Sequence, residues 1–284
     1  MVFLLRSANW PVEWPLGAIA ATALLYLLGG RLSATPSDAR KRWRGVAFYA
    51  GLATLVLAID SPVDAYAGKL FWMHMTQHVL LMMVAPPLLL LGRPWPRLSR
   101  PLPLALRRPL ARSVLAGPGL ASGRTAFRRL AAPLPAFALF NGTLLLWHLP
   151  VLYDLTLRDG PVHHLEHGLF FGAALLFWVH LLPGVVGRPQ LADSARAVYG
   201  TAALLVSWIL AVVLGLAPEP VYGAYAALAQ RPGGLSALSD QQLAAGVMWV
   251  PGSVPYCIVL AVAALRWLDP ATGAGRRGRL ASGH

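Results

Sequence analysis

Phe71–Trp–Met–His–Met–Thr–Gln–His–Val–Leu–Leu–Met–Met83 opens a run, 70–92, with no Lys, Arg, Asp or Glu. A hydrocarbon core about 30 Å thick takes roughly 20 apolar residues at a rise of about 1.5 Å each, so this run is long enough to cross one. The two histidines inside it are expensive to hold in lipid, and such residues commonly mark function. The same stretch therefore bears on both fold and chemistry.

Six further stretches lack Lys and Arg: 12–30, 46–60, 133–149, 162–184, 197–217 and 243–265. The chain has 284 residues, of which 57% are hydrophobic and only 12% charged, too apolar a balance for a soluble domain of this length. The expected fold is all-α, a polytopic membrane helix bundle of about seven transmembrane helices in a single domain, 1–284.

Charge gives the bundle a direction, because short cytoplasmic loops retain Lys and Arg. With the N-terminus outside and the C-terminus in the cytoplasm, segments 31–45, 93–132, 185–196 and the tail after the last span hold 20 of the 24 Lys and Arg residues. Arg6, Lys69, Arg158 and Arg231 fall elsewhere. Glu13, Asp60, Asp64, Asp154, Asp159, Glu166, Glu219 and Asp240 collect at the outer face. The net charge of +13 is thus a record of topology, and a nucleic-acid partner is not expected. The expected location is the bacterial cytoplasmic (inner) membrane.

The segment 93–132 carries nine arginines, no acidic residue and six prolines. It reads as a basic cytoplasmic loop lying on the anionic leaflet, where each basic residue contributes about 1 kcal/mol. A second basic stretch, 267–284, forms the cytoplasmic tail. Near the N-terminus, only Arg6 precedes the first span, Glu13 and Pro15 sit at its entry, and no small-residue cleavage site follows a short apolar run, which argues against a cleaved signal peptide. The single cysteine, Cys257, excludes an internal disulfide and any Cys-x-x-Cys motif. It reads as a small buried hydrophobe.

His74 and His78, four residues apart, lie about 40° apart on one helical face. Met75 and Met82 fall within about 100° of that stripe. Thioether suits Cu(I), and imidazole suits either copper state. A lone methionine is usually a gap filler, whereas an i, i+4 histidine pair in a membrane helix is rarely incidental. The stretch Val162–His–His–Leu–Glu–His167 repeats the spacing in His163 and His167. His164 flanks that pair, and Glu166 is placed to orient an imidazole from behind. His148 also lies at an outer helix end. His180 and His284 fall on the inner side and leave the candidate set.

Pro86 and Pro87 are expected to kink or unwind the third span, and Pro251 and Pro255 the last one. Asp240 reads as an N-cap of the last helix, and Gln241 or Gln242 as a hydrogen-bonding group within the bundle. Met248 reads as packing. The chain has no Gly-x-x-x-x-Gly-Lys, Gly-x-Ser-x-Gly or His-Glu-x-x-His motif.

His74–Met75–x–x–His78 running into Ala85–Pro–Pro–Leu–Leu–Leu–Leu–Gly92 resembles the CtaG family of cytochrome c oxidase assembly factors. Trp147–His–Leu–Pro–x–x–Tyr153, His163–x–Leu–Glu–His167 and Asp240–Gln–Gln–x–Ala–x–Gly246 leading to Met248–Trp–x–Pro251 agree with it. The resemblance implies a non-enzymatic multi-helix membrane protein needed to make an active heme-copper oxidase, helping to install copper at the oxidase's buried copper site. It does not extend to an unrelated copper chaperone of the same name with a cysteine-bearing periplasmic domain.

The leading expectation is an assembly factor that binds Cu(I) or Cu(II) near the outer face through His74, His78, His163 and His167, with Met75 or Met82 assisting and His164 and His148 as further candidates. It would pass copper to a copper-site-bearing oxidase subunit. The rivals are an intramembrane zinc hydrolase with Glu166 or Asp60 as general base, and a heme-binding redox protein with paired histidine axial ligands.

Overall fold

The computed structural model describes residues 15–32, 39–185 and 191–268. Arg6, Glu13, His284, most of the basic tail and the segment that bears on a signal peptide lie outside the described residues. The fold is all-helical, 84% helix, with no strand among the described residues.

The first half comprises α1 (Pro15–Arg31), α2 (Ala39–Ile59), α3 (Pro62–Ala67), α4 (Phe71–Val79), α5 (Ala85–Leu91), α6 (Pro94–Ser99) and α7 (Leu104–Ala116). The second comprises α8 (Ala121–Leu130), α9 (Pro133–Trp147), α10 (Pro150–Thr156), α11 (Gly160–Leu181), α12 (Asp193–Leu216), α13 (Gly223–Ala226) and α14 (Ala237–Leu268). Each of the seven apolar sequence stretches meets a helix.

Four runs among the described residues are long and apolar enough to cross a membrane: Lys41–Ala67, Phe71–Leu91, Asp193–Leu216 and Ala237–Arg266. A fifth results if Pro118–Leu130 and Pro133–Trp147, bent by 74°, form one broken span. Pro15–Arg31 is apolar but shorter. In α11 the first two turns hold His163, His164, Glu166 and His167, which lower the apolar character of a 22-residue helix.

The run Phe71–Leu91 leaves α geometry just before its prolines. A five-residue π segment, Leu80–Val84, joins α4 to α5. Pro86 has no N–H to give the carbonyl four residues earlier, that of Met82. The indole N–H of Trp178, buried on α11, donates to that carbonyl instead at 2.8 Å. Lipid offers no replacement partner, so a neighbouring helix supplies one.

The last helix behaves differently, because α14 stays helical through Pro251 and Pro255 over its 32 residues. The expected unwinding does not occur there. Ser253, between the two prolines, donates to the carbonyl of Trp249 and accepts the indole N–H of Trp208 on α12.

Helix α14 packs along α12 and α4, α11 along α9 and α5, and α2 along α5. Small residues permit the closest approaches, as membrane packing favours. A Cβ on Gly51 of α2 would meet Leu89 Cγ at 2.8 Å, and one on Gly29 of α1 would overlap the Arg97 carbonyl of α6 at 1.8 Å. Cys257 corrects the sequence reading: it is exposed on the outside of α14, beside Trp208 and Trp249. The basic segment 93–132 is itself helical, carrying α6, α7 and α8. Around its start, Lys41, Arg44, Arg93, Arg97 and Arg100 line a pocket of about 230 Å³.

Candidate metal centre

Helix α4 starts at a fixed point. The carboxylate of Asp240, from α14, accepts the N–H groups of Phe71 at 2.9 Å and Trp72 at 3.1 Å. These are among the amides that a helix start leaves unsatisfied. The cap expected on α14 itself thus serves α4. Gln241 ties the next turn of α14 by accepting from Val221 N at 2.7 Å and donating to Leu214 O at 2.9 Å. Gln242 is exposed.

Helix α11 starts with its own cap, the side chain of Asp159 accepting from Val162 N at 3.0 Å. The two capped ends meet. Ring centroids of His74 and His78 lie 4.4 Å apart, and those of His163 and His167 4.0 Å apart. Between helices the separations are 5.1 Å for His74 and His163, and 5.9 Å for His78 and His167.

Glu166 sits among these rings with no solvent exposure. Its two oxygens are 3.6 Å from His74 Nε2 and 3.6 Å from His78 Nε2, and neither makes a hydrogen bond. His74, His163, Glu166 and His167 each offer a ligand atom, and all four atoms lie within 4.8 Å of one another. Donors on a tetrahedral ion with bonds of about 2.0–2.1 Å stand about 3.4 Å apart, so closure needs only small movements.

A buried carboxylate without a partner is costly, and so are buried ring nitrogens without one. The ring Nε2 atoms of His74, His78, His163 and His167 are all in that condition. A cation among His74, His163, Glu166 and His167 would satisfy four of these groups.

Two tyrosines meet the outer nitrogen of His74. Tyr225 donates its hydroxyl hydrogen to the Ala67 carbonyl, so toward His74 Nδ1, 3.1 Å away, it can only accept. Tyr153 OH stands 2.9 Å from the same nitrogen. Tyr153 can donate to that nitrogen, and His74 Nε2, on the far side of the ring, faces the cluster. Burial pushes both phenols well above the usual tyrosine range and keeps them protonated.

Not every candidate joins. His78 borders Glu166 without belonging to the four-donor group. His164 is exposed and directed elsewhere, and His180 contacts the Ala131 carbonyl at 3.1 Å. Met75, Met82 and His148 belong to an adjoining cavity. Glu166, read from sequence as an orienting group, is instead one of the inward-facing donors. Sequence reasoning did not find the roles of Tyr153 and Tyr225; Tyr153 stood inside a quoted motif, while Tyr225 carried no signal.

Residues 24–269 match the family model described as cytochrome c oxidase caa3 assembly factor (Caa3_CtaG). The chain belongs to the caa3 assembly factor family. Similar curated proteins are uncharacterized proteins of Mycobacterium bovis and Mycobacterium tuberculosis, each 28% identical over 226 residues, covering 79% of this chain and 34% of the relative. An uncharacterized protein of Mycobacterium leprae is 25% identical over 232 residues, with the same shares covered. The chain thus spans about a third (34%) of the length of these relatives. No solved structure matches. Every residue of the four-donor cluster, and the aspartate that caps α4, falls inside the part matched by the caa3 assembly factor model.

Proposed function

We propose that this caa3 assembly factor is a non-catalytic carrier that binds copper near the extracytoplasmic face and passes it to an oxidase subunit with a copper site. The observation that carries this reading is the convergence of His74, His163, Glu166 and His167 within 4.8 Å. Three imidazoles and a carboxylate suit Cu(II), and also Zn²⁺, which the test therefore includes.

In this reading the bundle has seven spans, with the N-terminus outside and the C-terminus in the cytoplasm of a bacterial inner membrane. That orientation puts the starts of α4 and α11 on the outer side and the basic segment on the anionic inner leaflet. Alkaline phosphatase fused after Arg231 should be active, and fused after Arg112 inactive. The reverse pattern would overturn the orientation.

The rival readings gain nothing from the site. Glu166, the base offered for a hydrolase, is itself among the converging donors. The cavity that His78 and His148 border, about 30 Å³, is too small to hold a heme.

The test measures copper and zinc in purified protein, together with oxidase activity in cells, for the native chain and a His74→Ala/His163→Ala variant. Loss of bound Cu(II) together with loss of assembled oxidase is expected. Equal copper in the two proteins would sink the assignment, and zinc alone would replace copper as the cargo.

A further inference from the structure

Alongside the nitrogen and oxygen centre lies a cavity of different chemistry. Met75 of α4, Met82 and Met83 of the π segment and Met248 of α14 line one space of about 30 Å³, with His148 and His78 at its wall. Four of the chain's six methionines are thus gathered around a volume that suits a single ion or one or two waters.

One contact inside it is not explained by packing. His148 Nδ1 lies 2.7 Å from the Leu144 carbonyl, which can only accept, so Nδ1 carries the ring proton. The other nitrogen, Nε2, then presents a lone pair, and it faces Met75 Sδ at 3.4 Å. A thioether has no hydrogen to give. Two lone pairs therefore face one another in a buried site with nothing between them. On a tetrahedral ion, a nitrogen at about 2.0 Å and a sulfur at about 2.3 Å stand about 3.5 Å apart. The observed separation is that of two donors awaiting one ion.

We propose that this chamber is a second metal site, for Cu(I), separate from the cluster around Glu166. His148 Nε2 and Met75 Sδ form its preset pair, and the thioethers of Met82, Met83 and Met248 complete the shell. Charge separates the two sites as well as softness. The chamber's donors are neutral and soft, matching a monovalent ion. The Glu166 cluster carries a carboxylate and offers harder donors, matching a divalent one. The backbone supports the arrangement, since Tyr222 donates to the His148 carbonyl at 3.1 Å and Trp178 holds the carbonyl of Met82. The copper-carrier reading supplies only the metal's identity in the cell; the chamber's donors are its own.

The experiment loads the purified full-length protein in detergent with Ag(I), and with Cu(I) under reducing conditions, and measures stoichiometry, affinity and X-ray absorption. The native protein should bind one ion with sulfur in its first shell. Met82→Leu/Met83→Leu/Met248→Leu, a volume-conserving change, should weaken that binding at least tenfold and leave Cu(II) binding intact. His163→Ala/His167→Ala should do the opposite. Ag(I) bound without sulfur neighbours in the native protein would overturn the proposal even if the methionine variant failed to fold. So would Ag(I) binding that the methionine variant leaves unchanged. Failure of the Glu166 centre would show separately, as Cu(II) binding indifferent to His163→Ala/His167→Ala.

Discussion

The carboxylate of Asp240 accepts the backbone N–H of Phe71 at 2.9 Å across 169 residues of chain, so the last helix sets the start of the helix that bears His74 and His78. Arg231 Nε lies 4.0 Å from the same carboxylate, and its guanidinium also donates to the Tyr225 carbonyl. Asp240 therefore places a histidine helix and, through Arg231, a tyrosine that contacts His74. Asp240→Ala should cost about 0.5–2 kcal/mol from the lost cap, and more from the stranded Arg231 charge. Asp240→Asn keeps an acceptor and should fall between. Thermal unfolding in detergent and copper stoichiometry should rank the three proteins in the same order; equal copper at unequal stability would deny the link between cap and site.

Glu166→Gln should move stability in opposite directions with and without metal. Metal-free, the native protein holds a fully buried carboxylate with neither oxygen hydrogen-bonded. Glutamine has nearly the same shape without the charge, so the metal-free variant should unfold at a higher temperature. With Cu(II) the order should invert, because loss of the only anionic donor lowers affinity by about 10–100-fold or more. Melting curves with and without Cu(II) check the crossing.

The sequence showed the helices and the two histidine pairs, because these are local patterns of spacing and composition. What it hid lies between helices. The tyrosines that reach His74 come from 79 and 151 residues away, and no periodicity encodes such a meeting. Which face of a membrane helix turns inward is also poorly marked, since lipid and bundle interior are both apolar. Cys257 was misread for that reason. Glu166 was underestimated because i, i+3 and i, i+4 spacing puts three of its neighbours on related faces without saying which points to the centre.

The basic pocket around Arg97 should select anionic lipid. Lys41, Arg44, Arg93, Arg97 and Arg100 surround it. Arg97 is already ordered, its guanidinium 4.6 Å above the ring of Tyr26. The backbone of Arg93 adopts a left-handed φ of 47°, a costly conformation that holds its side chain by the Gly184 carbonyl. Native mass spectrometry should find phosphatidylglycerol retained over phosphatidylcholine. Arg97→Gln/Arg100→Gln should weaken retention by about 1 kcal/mol per charge. Equal retention of both lipids would show the pocket to be a topology signal alone.

Trp178→Phe should separate the two metal sites through the backbone. The substitution keeps the ring in the core but removes the donor that satisfies the Met82 carbonyl, orphaned by Pro86. A buried carbonyl without a partner costs about 1–3 kcal/mol, and no water is at hand in the bundle to relieve it. The π segment should then shift, carrying Met82 and Met83 with it. The histidines of α4 lie before the π segment and are anchored by Asp240 and Tyr153, so they should hold their places. Ag(I) or Cu(I) affinity should therefore fall several-fold while Cu(II) affinity changes little. His180→Ala, at the far end of α11 against the Ala131 carbonyl, should alter neither. A parallel loss of both affinities in Trp178→Phe would mean that the third span transmits strain along its whole length, and that the two sites are not mechanically separate.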